Sequence, residues 1–106
     1  MSSEQRVSQR RPLKVKAMLA MEGAAPMTAR TVDIGTSGVC LTVDSPLQVG
    51  QVGQVGFELY FDGKATVVNA RAKVAYCIFS GGEFKIGLSF VNLGIDAVST
   101  IAKYLR

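Results

Sequence analysis

Residues Val32–Leu41 read VDIGTSGVCL. The stretch passes from an apolar residue through an acid into Gly35, Thr36, Ser37 and Gly38, then returns to an apolar run. Small and polar residues of this kind gather where the chain turns, and alternating apolar residues on either side mark half-buried strands. The segment therefore joins two neighbouring strands. An ordinary hairpin needs fewer turn-formers, so the cluster is either a connector or a surface that receives a ligand.

Working outward, Leu13, Val15, Ala17 and Leu19 alternate with Lys14 and Lys16, a half-buried strand with a basic outer face. A second strand over about residues 28–34 delivers Asp33 to the turn. Beyond the turn, Val39, Leu41 and Val43 alternate with Cys40, Thr42 and Asp44 until Ser45-Pro46 ends the run. The local repeat GQVGQVG, Gly50–Gly56, reads as a loop because it is too rich in glycine for a strand. Phe57, Leu59 and Phe61 form the next inward row, and Asp62-Gly63 is a two-residue hairpin signal. The returning strand, about 64–78, places Val68, Ala70, Ala72, Val74 and Tyr76 on one face. Asn69, Arg71 and Lys73 fall on the other. After a Ser80-Gly81-Gly82 turn, Phe84, Ile86, Leu88 and Phe90 make a last inward row. Past Asn92 the period changes to about 3.6, with Ile95, Val98, Ile101, Ala102 and Leu105 on one face of a short helix. The pattern describes an all-β fold, a small antiparallel barrel closed by one C-terminal helix.

The 106 residues suit one domain. No apolar run approaches the roughly 20 residues of a spanning helix, and the polar start lacks the apolar centre of a signal peptide. The expectation is a soluble, cytoplasmic chain or the cytoplasmic domain of a membrane protein, with no direct membrane insertion. The net charge of +4 is uneven, because Arg6, Arg10, Arg11, Lys14 and Lys16 fall close together with no acid among them. Such an arm suits a phosphate or another anion; a solvated tail is the plainer reading. Cys40 and Cys77 have no metal-ligand spacing and read as free, buried thiols. With no histidine and no paired carboxylates, nothing supplies an obvious general acid or base, so no catalytic residue is assigned. Two separated thiols do not make a zinc site. GQVGQVG lacks the Gly-Lys-Ser/Thr ending of a triphosphate loop.

Three stretches taken together narrow the choice: RVSQRRP at Arg6–Pro12, DIGTSG at Asp33–Gly38, and FKIGLSFVNL at Phe84–Leu93. Their order and separation resemble the PilZ domain, a bacterial receptor module for cyclic di-GMP. The family pattern is an Arg-x-x-x-Arg arm followed some twenty to thirty residues later by an Asp/Asn-x-Ser-x-x-Gly turn. Arg6 and Arg10 match the arm, and Asp33 and Gly38 match the ends of the turn. Gly35 stands where the family usually has serine, which removes one hydroxyl while letting backbone N–H groups approach a phosphate closely.

The resemblance implies a six-stranded antiparallel PilZ-type barrel at residues 12–106, preceded by a flexible basic arm at residues 1–11. It implies a ligand-binding set of Arg6, Arg10, Arg11, Asp33, Gly35, Ser37 and Gly38, with no cofactor and no metal. The chemistry agrees: arginine can bond bidentately to guanine O6 and N7, worth about 1–3 kcal/mol per good pair, and Asp33 can accept from the N–H groups of the Watson–Crick edge. Backbone N–H groups of the turn, with Arg11 or Lys14, would meet phosphate. Gln5, ahead of the arm, leaves open whether one ligand or an intercalated pair is held.

The implied role is a receptor that relays second-messenger binding to a partner or attached domain, as in exopolysaccharide synthesis by cellulose synthases or in motility control. The arm is expected to fold down across the barrel on binding. The alternative is a degenerate adaptor that binds protein and no ligand. A single-strand nucleic-acid module is disfavoured, because no aromatic residues are interleaved with Lys14, Lys16 and Arg30.

Overall fold

The computed structural model describes residues 9–106. In chain order the elements are β1 (Arg10–Pro12), β2 (Lys16–Met21), β3 (Met27–Gly35), β4 (Gly38–Val43), β5 (Val52–Phe61), β6 (Lys64–Ser80), β7 (Glu83–Phe90) and α1 (Ile95–Leu105). All pairings are antiparallel. The strand order β3-β2-β5-β6-β7-β4 closes on itself through the β3–β4 pairing, giving a six-stranded barrel with no open edge along that ring. Strand β1 lies outside the ring on the same edge of β3 as β2, pairing Arg10 with Gly35 and Pro12 with Asp33.

The expected strand through Leu13–Leu19 starts only at Lys16, because residues 13–15 form a break between β1 and β2. The break is held by Thr31, the one polar residue buried among the described core. Its hydroxyl accepts a hydrogen bond from the Val15 N–H at 2.8 Å and donates one to the Leu13 carbonyl at 2.6 Å. Those two backbone groups would otherwise lie unpaired next to the core, at a cost of about 1–3 kcal/mol each.

Inside the barrel, Leu19, Ile34, Leu41, Leu59 and Ile86 are fully enclosed, and Val39, Val55, Val68 and Val74 complete the packing. The Asp62-Gly63 turn has both residues at positive φ, as the hairpin signal requires. GQVGQVG is not a loop beyond Gln51. Val52–Gly56 open β5, with Val55 inward, because Gly53 lets β2 pass closely: a Cβ there would lie 2.5 Å from the Ala20 carbonyl oxygen.

Helix α1 keeps Ile101 and Leu105 of the expected face toward the barrel, adds Tyr104, and turns Ile95 and Val98 to solvent. Ile101, Tyr104 and Leu105 are buried, with Ala97 partly so, while Ile95 and Val98 are exposed. The C-terminal half of the helix makes most of the seat on the core, and Tyr104, an amphipathic residue, takes a buried position there. The Tyr104 ring meets Phe61 edge-on at 6.4 Å.

Candidate functional site

Two β-bulges shape the outer surface beside the VDIGTSGVCL turn. Strict alternation along β3 from the buried Thr31 would aim Asp33 inward and Ile34 outward. The register shift between Thr31 and Asp33 inserts one residue, so Asp33 faces out opposite Cys40 while Ile34 stays wholly buried. A second shift, between Val74 and Tyr76, does the same on β6. Val74 pairs with the inward Leu88, Tyr76 pairs with Gly87 and faces out, and Cys77 returns toward the core. Tyr76 therefore leaves the inward row in which alternation would place it.

The result is a row of Asp33, Cys40, Gly87 and Tyr76 across β3, β4, β7 and β6. The Tyr76 ring lies over Gly87, where an added Cβ would come within 2.1 Å of Cε2. Its hydroxyl reaches Cys40 Sγ at 3.5 Å and covers that thiol. The contact with Cys40, then burial, pushes the phenol up to about 12; the charge of Asp33 adds to the effect and Arg10 opposes it.

Above this row sits the described part of the arm. Arg10 donates from Nε and Nη2 to one carboxylate oxygen of Asp33, at 2.9 and 2.6 Å. Both side chains are about a third exposed, so the pair adds little net stability. Its value is positional. Two motifs separated by 23 positions meet at one point, leaving Asp33 Oδ2 and Arg10 Nη1 without a hydrogen bond among the described residues.

The turn is built tightly against its surroundings. At Gly35 a Cβ would lie 2.9 Å from both Arg10 Nη1 and the Gln9 carbonyl oxygen. At Gly38 it would strike the Leu88 carbonyl oxygen at 2.1 Å. The Ser37 carbonyl accepts from the Phe90 N–H at 2.9 Å, tying the turn to the end of β7. Arg10, Ser37, Gly38, Tyr76, Gly87 and Ser89 line a cleft of about 280 Å³ that opens outward.

Arg11, the neighbour of Arg10 in β1, projects to the opposite side by strand alternation. Its guanidinium stacks 4.4 Å from the Tyr104 ring centroid and donates to the Tyr104 carbonyl. The Tyr104 hydroxyl donates back to the Pro12 carbonyl at 3.1 Å. Arg11 also borders, with Lys14 and Asp33, a hollow beside the arm. One row from the cleft, Lys16, Arg30, Thr42 and Lys85 are cross-strand neighbours, which gives that outer face a positive border. Arg6 lies outside the described residues.

Of the expected site residues, Arg10, Asp33, Gly35, Ser37 and Gly38 come together. Sequence reasoning missed Tyr76, since no pattern announces the bulge that turns it outward.

Residues 4–106 match the family profile of the PilZ domain. The chain belongs to the PilZ family. Among solved structures, it is similar to the Bacillus subtilis inhibitor of motility (MotI/DgrA), with TM-score 0.86 at 12% identity over 97% of this chain and 50% of that one. The PilZ domain of YcgR from Escherichia coli, solved with c-di-GMP, gives 0.73 at 14% identity over 96% and 89%. The PilZ domain of CeSA from a cellulose-synthesizing bacterium gives 0.64 at 15% over 92% and 95%. The chain thus spans about half the length of the motility inhibitor. No curated protein matches. Among the described residues no helix of this PilZ chain is long and apolar enough to cross a membrane.

Proposed function

We propose that this PilZ domain is a receptor for cyclic di-GMP that relays binding to a partner protein or an attached domain. The observation that carries the reading is the Arg10–Asp33 contact. It assembles a guanidinium and a carboxylate, donor and acceptor, beside a glycine-lined turn. A guanine offers acceptors at O6 and N7 and donors on its Watson–Crick edge, so the pair can read both kinds of group once it opens toward ligand. Arg6 and Arg10 serve as the guanidinium arm and Asp33 as the edge acceptor. Gly35, Ser37 and Gly38 supply the cradle for phosphate, and Arg11 holds the base of the arm against α1 at the border of the same site. Two relatives solved with this ligand, YcgR and the Borreliella burgdorferi PlzA protein, support the choice of ligand.

Gly35 favours a second reading, the adaptor that binds protein alone, because it lacks the hydroxyl usual at that position. Titration calorimetry with cyclic di-GMP on wild type, Arg10→Ala and Asp33→Ala decides between them. The receptor reading expects saturable binding by wild type and at least a tenfold loss in each variant. No heat up to millimolar ligand leaves the adaptor.

A further inference from the structure

We propose that the outer face of β2 and β5 is a self-association surface that seats a second copy of this chain, whether or not a ligand is bound. The row Asp33, Cys40, Gly87 and Tyr76 lies across β3, β4, β7 and β6, so β2 and β5 are the two barrel strands that the candidate site leaves free. Their outward positions carry a knob, a hollow and two opposite charges. Met18 is 49% exposed on β2, and Gly56, opposite it on β5, has no side chain. With Val67 and Asn69 of β6 on its far side, Gly56 floors a hollow of about 480 Å³. Val67 and Tyr60 are both more than half exposed, so apolar surface continues across the face.

One row along, Lys16 on β2 stands opposite Glu58 on β5, because the adjacent Ala17 and Phe57 pair in an antiparallel register. Both are exposed, and neither forms an ion pair among the described residues; the Glu58 carboxylate accepts from the Tyr60 hydroxyl at 2.6 Å. Each feature therefore has its complement on the neighbouring strand of the same face. A two-fold axis running along the strands, between β2 and β5, exchanges the two strands. It sets Met18 of each copy over the Gly56 hollow of the other, and Lys16 of each beside Glu58 of the other, so that every contact is made twice. A partner of another kind would not require the face to match itself. Sheets packed face to face keep their strands within about 30° of one another, which this alignment satisfies. The convexity of a barrel confines the contact to these strands and their neighbours, which fits a small, transient interface and leaves both candidate ligand sites uncovered.

The test is equilibrium sedimentation of the full chain without ligand, from about 0.02 to about 1 mM, the range in which a weak interface populates a dimer. Wild type is expected to shift from the 11.3 kDa monomer toward twice that mass. Lys16→Glu and Glu58→Lys each set like charges against one another twice across the axis, and each is expected to weaken the dimer at least about tenfold. An equimolar mixture of those two variants restores both opposite-charge contacts, and is expected to form a heterodimer within about threefold of wild-type strength. No contact inside one chain predicts that recovery. Met18→Ala, which removes the knob, is expected to weaken the dimer at least about fivefold. All three side chains are exposed, and thermal unfolding of each variant checks that the barrel persists. A wild type that stays monomeric at the highest concentration overturns the proposal and leaves the face to a partner of another kind. A dimer that these substitutions leave at wild-type strength, or a mixture of the two charge reversals that stays monomeric, overturns this face as its seat.

Discussion

Arg11 stacks on Tyr104 and donates to its carbonyl, while the Tyr104 hydroxyl donates to the Pro12 carbonyl, so the first strand and the last helix hold each other. Replacing Arg11 by alanine removes the stack and the hydrogen bond together. The expected cost is about 1–2 kcal/mol in urea unfolding. Arg11→Lys should recover only part of it, because an ammonium lacks the planar face that stacks on the ring.

Gly35 sits beneath the arm with no room for a side chain. In Gly35→Ser the new Cβ meets Arg10 Nη1 and the Gln9 carbonyl oxygen at 2.9 Å. The guanidinium can swing away but the backbone must shift, so the expected result is a loosened β1 on an unchanged barrel. Amide hydrogen exchange should accelerate severalfold at residues 10–13, including the Leu13 N–H bonded to Val32, with little change in β5 or β6. Equal exchange at β1 would show that the strand absorbs the methylene.

Thr31 carries the break between β1 and β2. Thr31→Val keeps the shape and removes the hydroxyl, leaving the Val15 N–H and the Leu13 carbonyl without that partner. The expected loss is about 1–3 kcal/mol, read from the urea midpoint at constant slope. A variant as stable as wild type would mean that water replaces the hydroxyl.

The raised ionisation of Tyr76 has a defined sign. A phenol whose folded pKa is about 12 against an ordinary 10.0 binds its proton more tightly when folded. Its contribution to stability is complete below pH 10 and is lost as pH rises toward 12. The phenolate absorbance of wild type minus that of Tyr76→Phe should therefore titrate near 12 in the folded protein and near 10 in denaturant. A folded titration near 10 would remove the hydrogen bond to Cys40 as its cause.

Most of the barrel was legible from alternation and turn chemistry. The rows Val39-Leu41-Val43 and Val68-Ala70-Ala72-Val74 are inward as read, and Asp62-Gly63 turns as read. The misreadings share one origin, a local signal overridden by a distant contact. Gly53 reads as loop from sequence because its reason for being glycine is strand β2 passing alongside. Tyr104 lies off the face that periodicity picks out because its partners, Arg11 and Phe61, are remote in sequence.

By itself the sequence determined the strand count of the barrel, the terminal helix, and the two motifs whose spacing points to the family. Periodicity and turn propensity are local, so they survive reading one residue at a time. The tertiary structure alone decided which side chains share a surface. The bulges at Val32 and Ala75 each move one residue across the sheet, bringing Asp33 and Tyr76 into one row. A bulge answers to the curvature of a closed barrel, a property of all six strands together, and no single stretch of sequence carries it.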